Sequence, residues 1–88
     1  MNLKKAAWRV TEYLKSLDYI SNVKLLSDNS ITFKCSETRE WEGKLVFHQQ
    51  SWGKYYVTLH DNTTDYFEGE TVRNYKQIIN FLEYQYID

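Results

Sequence analysis

The residues of this 88-residue chain best suited to chemistry are two histidines, one cysteine and a cluster of acids. His48 and His60 could ligate a metal, Cys35 could act as a nucleophile beside a histidine, and Asp61, Asp65, Glu68 and Glu70 could hold calcium. Their spacing opposes each of these uses. The two histidines fall on adjacent strands of one face, about four cross-strand pairs apart, which at about 3.3 Å per residue is too far for joint ligation. Cys35 is expected to face the core, on the opposite side of the sheet from both histidines. The acids do not follow the twelve-residue calcium loop, so they are expected to be solvated loop charge. Gly43, Gly53 and Gly69 make no phosphate-cradling loop, and no serine sits in a nucleophile elbow. No catalytic residue, metal or cofactor is therefore expected.

Binding chemistry is better represented. Three Trp, eight Tyr and four Phe are more aromatics than the periodicity can place in one small core. Trp41, Phe33, Phe47, Tyr55, Tyr75 and Tyr86 have core positions, and Phe67, Phe81, Tyr13, Tyr19 and Tyr66 are undecided. Trp8, Trp52, Tyr56 and Tyr84 are left over. Trp and Tyr carry binding energy at interfaces more often than their frequency implies, so these four are the expected protein-binding anchors. An alternative set, Lys24, Lys34, Lys44, Lys54 and Tyr56, would grip a phosphate backbone and stack a base, making the domain a nucleic-acid binder.

The elements that must position these residues follow from the apolar pattern. Asn2 can cap a helix in which Leu3, Ala6, Ala7, Val10, Leu14 and Leu17 form one stripe, with Trp8, Glu12 and Lys15 opposite. From Val23 to Cys35 the period is two. Ser27-Asp28-Asn29 makes a loop that pairs Leu25 with Ile31 and Val23 with Phe33, with Asn29 in the left-handed position. Trp41 to His60 form a second hairpin turning at Gln49-Gln50-Ser51-Trp52-Gly53, with Phe47 facing Tyr55 and Leu45 facing Val57. Residues 61 to 71 read as an acidic connection with at most a short strand near Tyr66 and Phe67. Thr71 is expected to cap a last helix whose stripe is Val72, Tyr75, Ile79, Leu82 and Tyr86.

The expected fold is α+β in two layers: an N-terminal helix, a four-stranded antiparallel sheet of two hairpins and a C-terminal helix, with both helices on one sheet face. The other face is open and carries Lys24, Thr32, Lys34, Lys44, Val46, His48, Lys54, Tyr56, Thr58 and His60. Residues 1 to 88 read as a single small domain, with no repeat, linker or proline. A stability of about 4 to 13 kcal/mol is expected for this length.

Net charge is −1, which disfavours a partner held by bulk charge alone. Residues 1 to 54 are net basic and residues 55 to 88 net acidic. One cysteine without a partner points to a reducing compartment, and the polar N-terminus to neither a signal peptide nor a membrane span, so a cytoplasmic location is expected. The Asn62-Thr63-Thr64 sequon is then accidental.

The order of helix, strands and helix resembles double-stranded RNA-binding domains in outline. Those domains are basic on entering the last helix, whereas Phe67-Glu68-Gly69-Glu70-Thr71-Val72-Arg73 is acidic. The phosphate-binding arginine motif of phosphotyrosine-recognition domains, which share the order, has no counterpart either. Membership of neither family is expected. The proline-free vocabulary rich in Lys, Asn, Ile and Tyr looks like that of low-GC bacterial or phage genes. The expected function is thus a non-enzymatic protein-binding module, such as a phage or mobile-element inhibitor that occludes a host defence protein, with self-association through the same surface as a further expectation.

Overall fold

The computed structural model describes residues 2–37, 39–51 and 53–87, with the backbone only for 85–87. Helix α1 (Leu3–Lys15) precedes strands β1 (Ile20–Leu25), β2 (Ile31–Cys35), β3 (Trp41–Ser51), β4 (Lys54–Asp61) and β5 (Tyr66–Val72), and helix α2 (Tyr75–Ile87) follows them. The strands form one antiparallel meander in chain order, β1 to β5. Both helices share one core with the inward residues of the sheet, leaving its other face uncovered. The α+β class and the two flanking helices match the sequence pattern.

α1 starts where its cap can act: the Asn2 side chain accepts a 3.0 Å hydrogen bond from the Lys5 N–H. Ala6, Ala7, Val10 and Leu14 are buried in one stripe, and Thr11 joins them because its hydroxyl donates to the Ala7 carbonyl at 2.9 Å. Trp8 lies opposite, 57 % exposed. Ile31, Phe33, Cys35, Leu45, Val57 and Leu59 supply the sheet side of the core. Phe33 lies over Gly43 and meets Trp41 edge to face with ring centroids 5.7 Å apart.

The sheet has five strands, not four. Residues 66 to 72 form a full strand paired with β4 over seven residues. Their alternation is disguised, because Tyr66, Glu68 and Glu70 lie on the same face as buried Val72 but at the sheet edge, where polar residues are tolerated. Thr71 is consequently a strand residue, and the cap of α2 is Asn74, whose side chain accepts from the Gln77 N–H at 2.9 Å. The Gln77 side chain reaches back to the Arg73 N–H at 2.7 Å, a variant of the reciprocal capping pair. With Val72 removed from the helix, the buried stripe turns to Ile78, Phe81 and Leu82, and Tyr75 and Ile79 move to its margin. The Tyr86 side chain lies outside the described residues.

The hairpins correct two expected registers. Leu25 pairs with Ile31 and Asn29 has φ 67°, both as the sequence indicates. Val23 does not pair with Phe33, because a bulge at Asn22, φ 54°, re-aims the strand so that Ile20 meets Cys35. In the second hairpin Phe47 faces Val57 and Leu45 faces Leu59, a shift of two residues from the expected pairing. A shift of two preserves every face, so the alternation could not detect it. Gly53, φ 71°, makes the turn tighter, and an irregularity between Gln49 and Ser51 absorbs the difference.

The β2–β3 connection is held to the sheet by Arg39, whose guanidinium donates to the buried Asp61 carboxylate and forms an ion pair with it. Asp61 also accepts from the Thr63 N–H at 2.9 Å. Burial alone would raise its pKa, but the hydrogen bonds from Arg39 and Thr63 and the Arg39 charge outweigh it and hold the carboxyl below its ordinary range.

Candidate functional site

The uncovered sheet face is built in rows that the strand register fixes. One row crosses all five strands: Lys24, Thr32, Lys44, His60 and Phe67. The next holds Val46, Thr58 and Gly69, and the one beyond it His48, Tyr56 and Thr71. Lys34 and Glu42 pair on the other side of the long row. The face is therefore polarised: lysines lie toward β1 to β3, and rings lie toward β4 and β5.

The ring side is organised around Thr58. His48 Nε2 lies 3.2 Å from the Thr58 hydroxyl and His60 Nε2 lies 2.9 Å from it, so the two imidazoles converge on one oxygen. A hydroxyl has one proton and can donate to one ring while accepting from the other, which couples the two tautomers. This corrects the separation inferred from the sequence: the histidine backbones are four residues apart along the ladder, but both side chains lean inward over Thr58. Among the described residues no three His, Cys, Asp or Glu side chains are grouped to hold a metal ion.

Beside this bridge His60 stacks on Phe67, with centroids 5.4 Å apart and planes 25° apart, and Phe67 is 57 % exposed. Tyr56 lies against His48 and covers Gly69, where a Cβ would collide with its ring. A strand glycine under an aromatic ring is a close-packing device. Burial of Val46 and Tyr56 is partial, and Phe67 stands proud of them.

The three expected anchors among the described residues, Trp8, Tyr56 and Tyr84, do not share one surface. Trp8 is exposed on α1, in the helix layer, and Tyr84 is exposed on α2. Tyr56 is on the open face but half-buried against Gly69, so it is a support more than a free anchor. Trp52 lies outside the described residues. Of the alternative set, Lys24, Lys34 and Lys44 do share the basic side of the face and Lys54 opens β4 beyond the ring side. Lys34 is engaged by Glu40 at 3.8 Å. A shallow depression of about 390 Å³ beside them is lined by Lys24, Lys34, Glu42, Asn22 and Asn62 among others, so its charge is mixed.

Phe67, one of the five rings left undecided by the sequence, stands exposed on the open face. Its signal was present in Phe67-x-Gly69-x-Thr71, an alternation of small or apolar residues that continues the outer face of a strand. Cys35 is buried on the inner face, apart from both histidines as expected. No helix among the described residues is long and apolar enough to cross a membrane. Compared with protein-family models, curated proteins and solved structures, the chain matches none.

Proposed function

We propose that this domain is a non-enzymatic protein-binding module whose contact surface is the uncovered sheet face. The observation that carries the reading is the exposed Phe67 stacked on His60 at the β5 end of a row whose other strands carry Lys44 and Lys24. An apolar and aromatic side with Val46, Tyr56, His60 and Phe67, flanked toward β1 by Lys44, Glu42 and Lys24, has the mixed apolar and charged composition of a protein interface. The composition supports its occlusion-type version, in which a phage or mobile-element product covers a host defence protein, and a cytoplasmic site of action agrees with the single cysteine. Capture of partners from a bacterial host extract with wild-type protein and with a Val46→Ser, Phe67→Ala double variant tests it. Loss of the captured protein in the folded variant is expected, and identical captures would overturn this surface. Sedimentation of the two forms alone checks self-association through the same face.

Nucleic-acid binding is the second reading, favoured by the three lysines that share the basic side of the face. It requires affinity that falls steeply with salt, because neutralised phosphates release counterions. A Lys24, Lys34, Lys44 triple alanine variant should then lose a low-salt mobility shift of single- or double-stranded DNA or RNA. Absence of any shift by wild-type protein removes this reading. Glu40 and Glu42 beside these lysines, and Glu68 and Glu70 on β5, make it the weaker of the two.

A further inference from the structure

We infer that the free edge of β5 is a second docking site, which takes an extended segment bearing Lys or Arg at alternating positions as a sixth strand. The inference shares with the proposed function the idea of a protein partner but uses a different surface, and the two can fail separately.

The two edges of the sheet are not equivalent. β1 is interrupted by the bulge at Asn22, which twists it away from a regular neighbour. β5 pairs with β4 through seven consecutive residues without irregularity, and every second residue therefore directs its N–H and C=O groups outward. Among the described residues those outward groups meet no other strand. A regular, unpaired edge is a template for strand addition.

Beside that edge stands a groove of about 400 Å³ between β5 and α2, with Glu70 and Thr71 on one wall and Asn80, Phe81 and Tyr84 on the other. An incoming strand would lie along it with alternate side chains under α2, where Tyr84, 65 % exposed, offers an aromatic wall. This gives Tyr84 a role that the open face does not.

Charge selects the occupant. Glu68 and Glu70 lie on the helix side of β5, and neither is in an ion pair among the described residues. Glu68 accepts a hydrogen bond from Tyr66 and retains further acceptor capacity. The nearest cations in sequence are Arg73, in the turn after β5, and Lys76, in the first turn of α2. A second copy of β5 would bring Glu68 and Glu70 against their own counterparts, a like-charge pairing that strand edges avoid. A basic segment is matched instead: residues two apart on its strand would face Glu68 and Glu70 in turn.

The test uses an eight-residue capped peptide of alternating Lys and Val, its Glu and Val counterpart, and a Lys and Val version with a central proline, titrated into isotope-labelled protein. The Lys peptide should bind saturably and shift amides of residues 66–72 and 77–84. The Glu peptide should bind at least tenfold more weakly, and the proline peptide should lose at least tenfold by breaking the ladder. A Glu68→Lys, Glu70→Lys variant should reverse the preference between the first two peptides, which a merely unfolded variant cannot do. No binding by the Lys peptide, equal binding of the three peptides, or shifts confined to Lys44, His60 and Thr58 would overturn the inference. A Val46→Ser single variant, which alters the open face on β3 and leaves β5 untouched, should still take the Lys peptide, so failure of the open-face reading leaves this outcome readable.

Discussion

Two glycines show how closely this sheet is packed. A Cβ at Gly43 would fall within the Phe33 ring and one at Gly69 within the Tyr56 ring. The costs should differ, since Phe33 is buried in the core and Tyr56 sits at the surface of the open face. Gly43→Ala is expected to destabilise by about 1 to 3 kcal/mol through overpacking, and a Phe33→Leu partner change should recover part of it in a double-mutant cycle. Gly69→Ala should cost less and release Tyr56, read as a gain in the exposure of its ring. Asp61 acts at the same scale by pinning Arg39. Asp61→Asn should cost about 1.5 to 3 kcal/mol, since a buried, charge-assisted hydrogen bond is weakened. Because the folded carboxyl has a lowered pKa, its contribution is complete above the unfolded value near 3.9 and is lost as pH falls through the folded value. Acid unfolding of wild type should therefore steepen below pH 4, and the Asn variant should show a shallower loss there.

Among the elements, the strand turns and helix starts carry the local instructions. Asn22 and Asn29 both hold left-handed backbone, which a β-branched residue resists. Asn22→Gly should be near neutral, whereas Asn22→Val should cost about 1 to 3 kcal/mol and lower the midpoint of urea unfolding. The start of α2 depends on Asn74, and Asn74→Ala should cost about 1 kcal/mol by removing its cap. On β3 and β4 the Thr58 bridge ties two histidines together. Thr58→Val should leave both rings without their shared partner and release the His60 ring from its stack on Phe67, a change visible in the ring-current shifts of Phe67.

At the scale of the molecule, the helix layer and the sheet shield one core, and the remaining sheet face is left uncovered. Tyr13 and Tyr19, at the border of that layer, have raised pKa values, first because of burial and then because of nearby Glu83 for Tyr13 and Glu37 for Tyr19. Their neutral forms are favoured by folding, so this contribution is intact below about pH 10 and lost as pH rises through the folded values. Alkaline unfolding should accordingly begin above pH 10, and Tyr13→Phe should delay it. Cys35, buried at 2 % exposure, reports the whole core. Its reaction with a thiol reagent should proceed only through opening of the sheet and slow in proportion to stability. The uneven charge along the chain also has a spatial meaning, because the β1 to β3 side of the open face holds its lysines while the β5 edge holds Glu68 and Glu70.

The apolar periods by themselves determined the α1 stripe, the inward faces of β2 to β4 and the two-layer arrangement. Each depends on which side of a helix or strand a residue occupies, and that is a local property of spacing. The Asn2 cap and the left-handed Asn29 were legible for the same reason. What escaped the sequence involves partners distant along the chain. A two-residue slip of the β3–β4 register leaves every face unchanged, so only packing could fix it. β5 reads as an acidic loop because an edge strand need not be apolar, and its identity comes from hydrogen bonds with β4. The convergence of His48 and His60 on Thr58 and the covering of Gly69 by Tyr56 were decided by tertiary structure alone. Side-chain direction across a twisted sheet is set by the strands beside it, and no spacing within one strand encodes that.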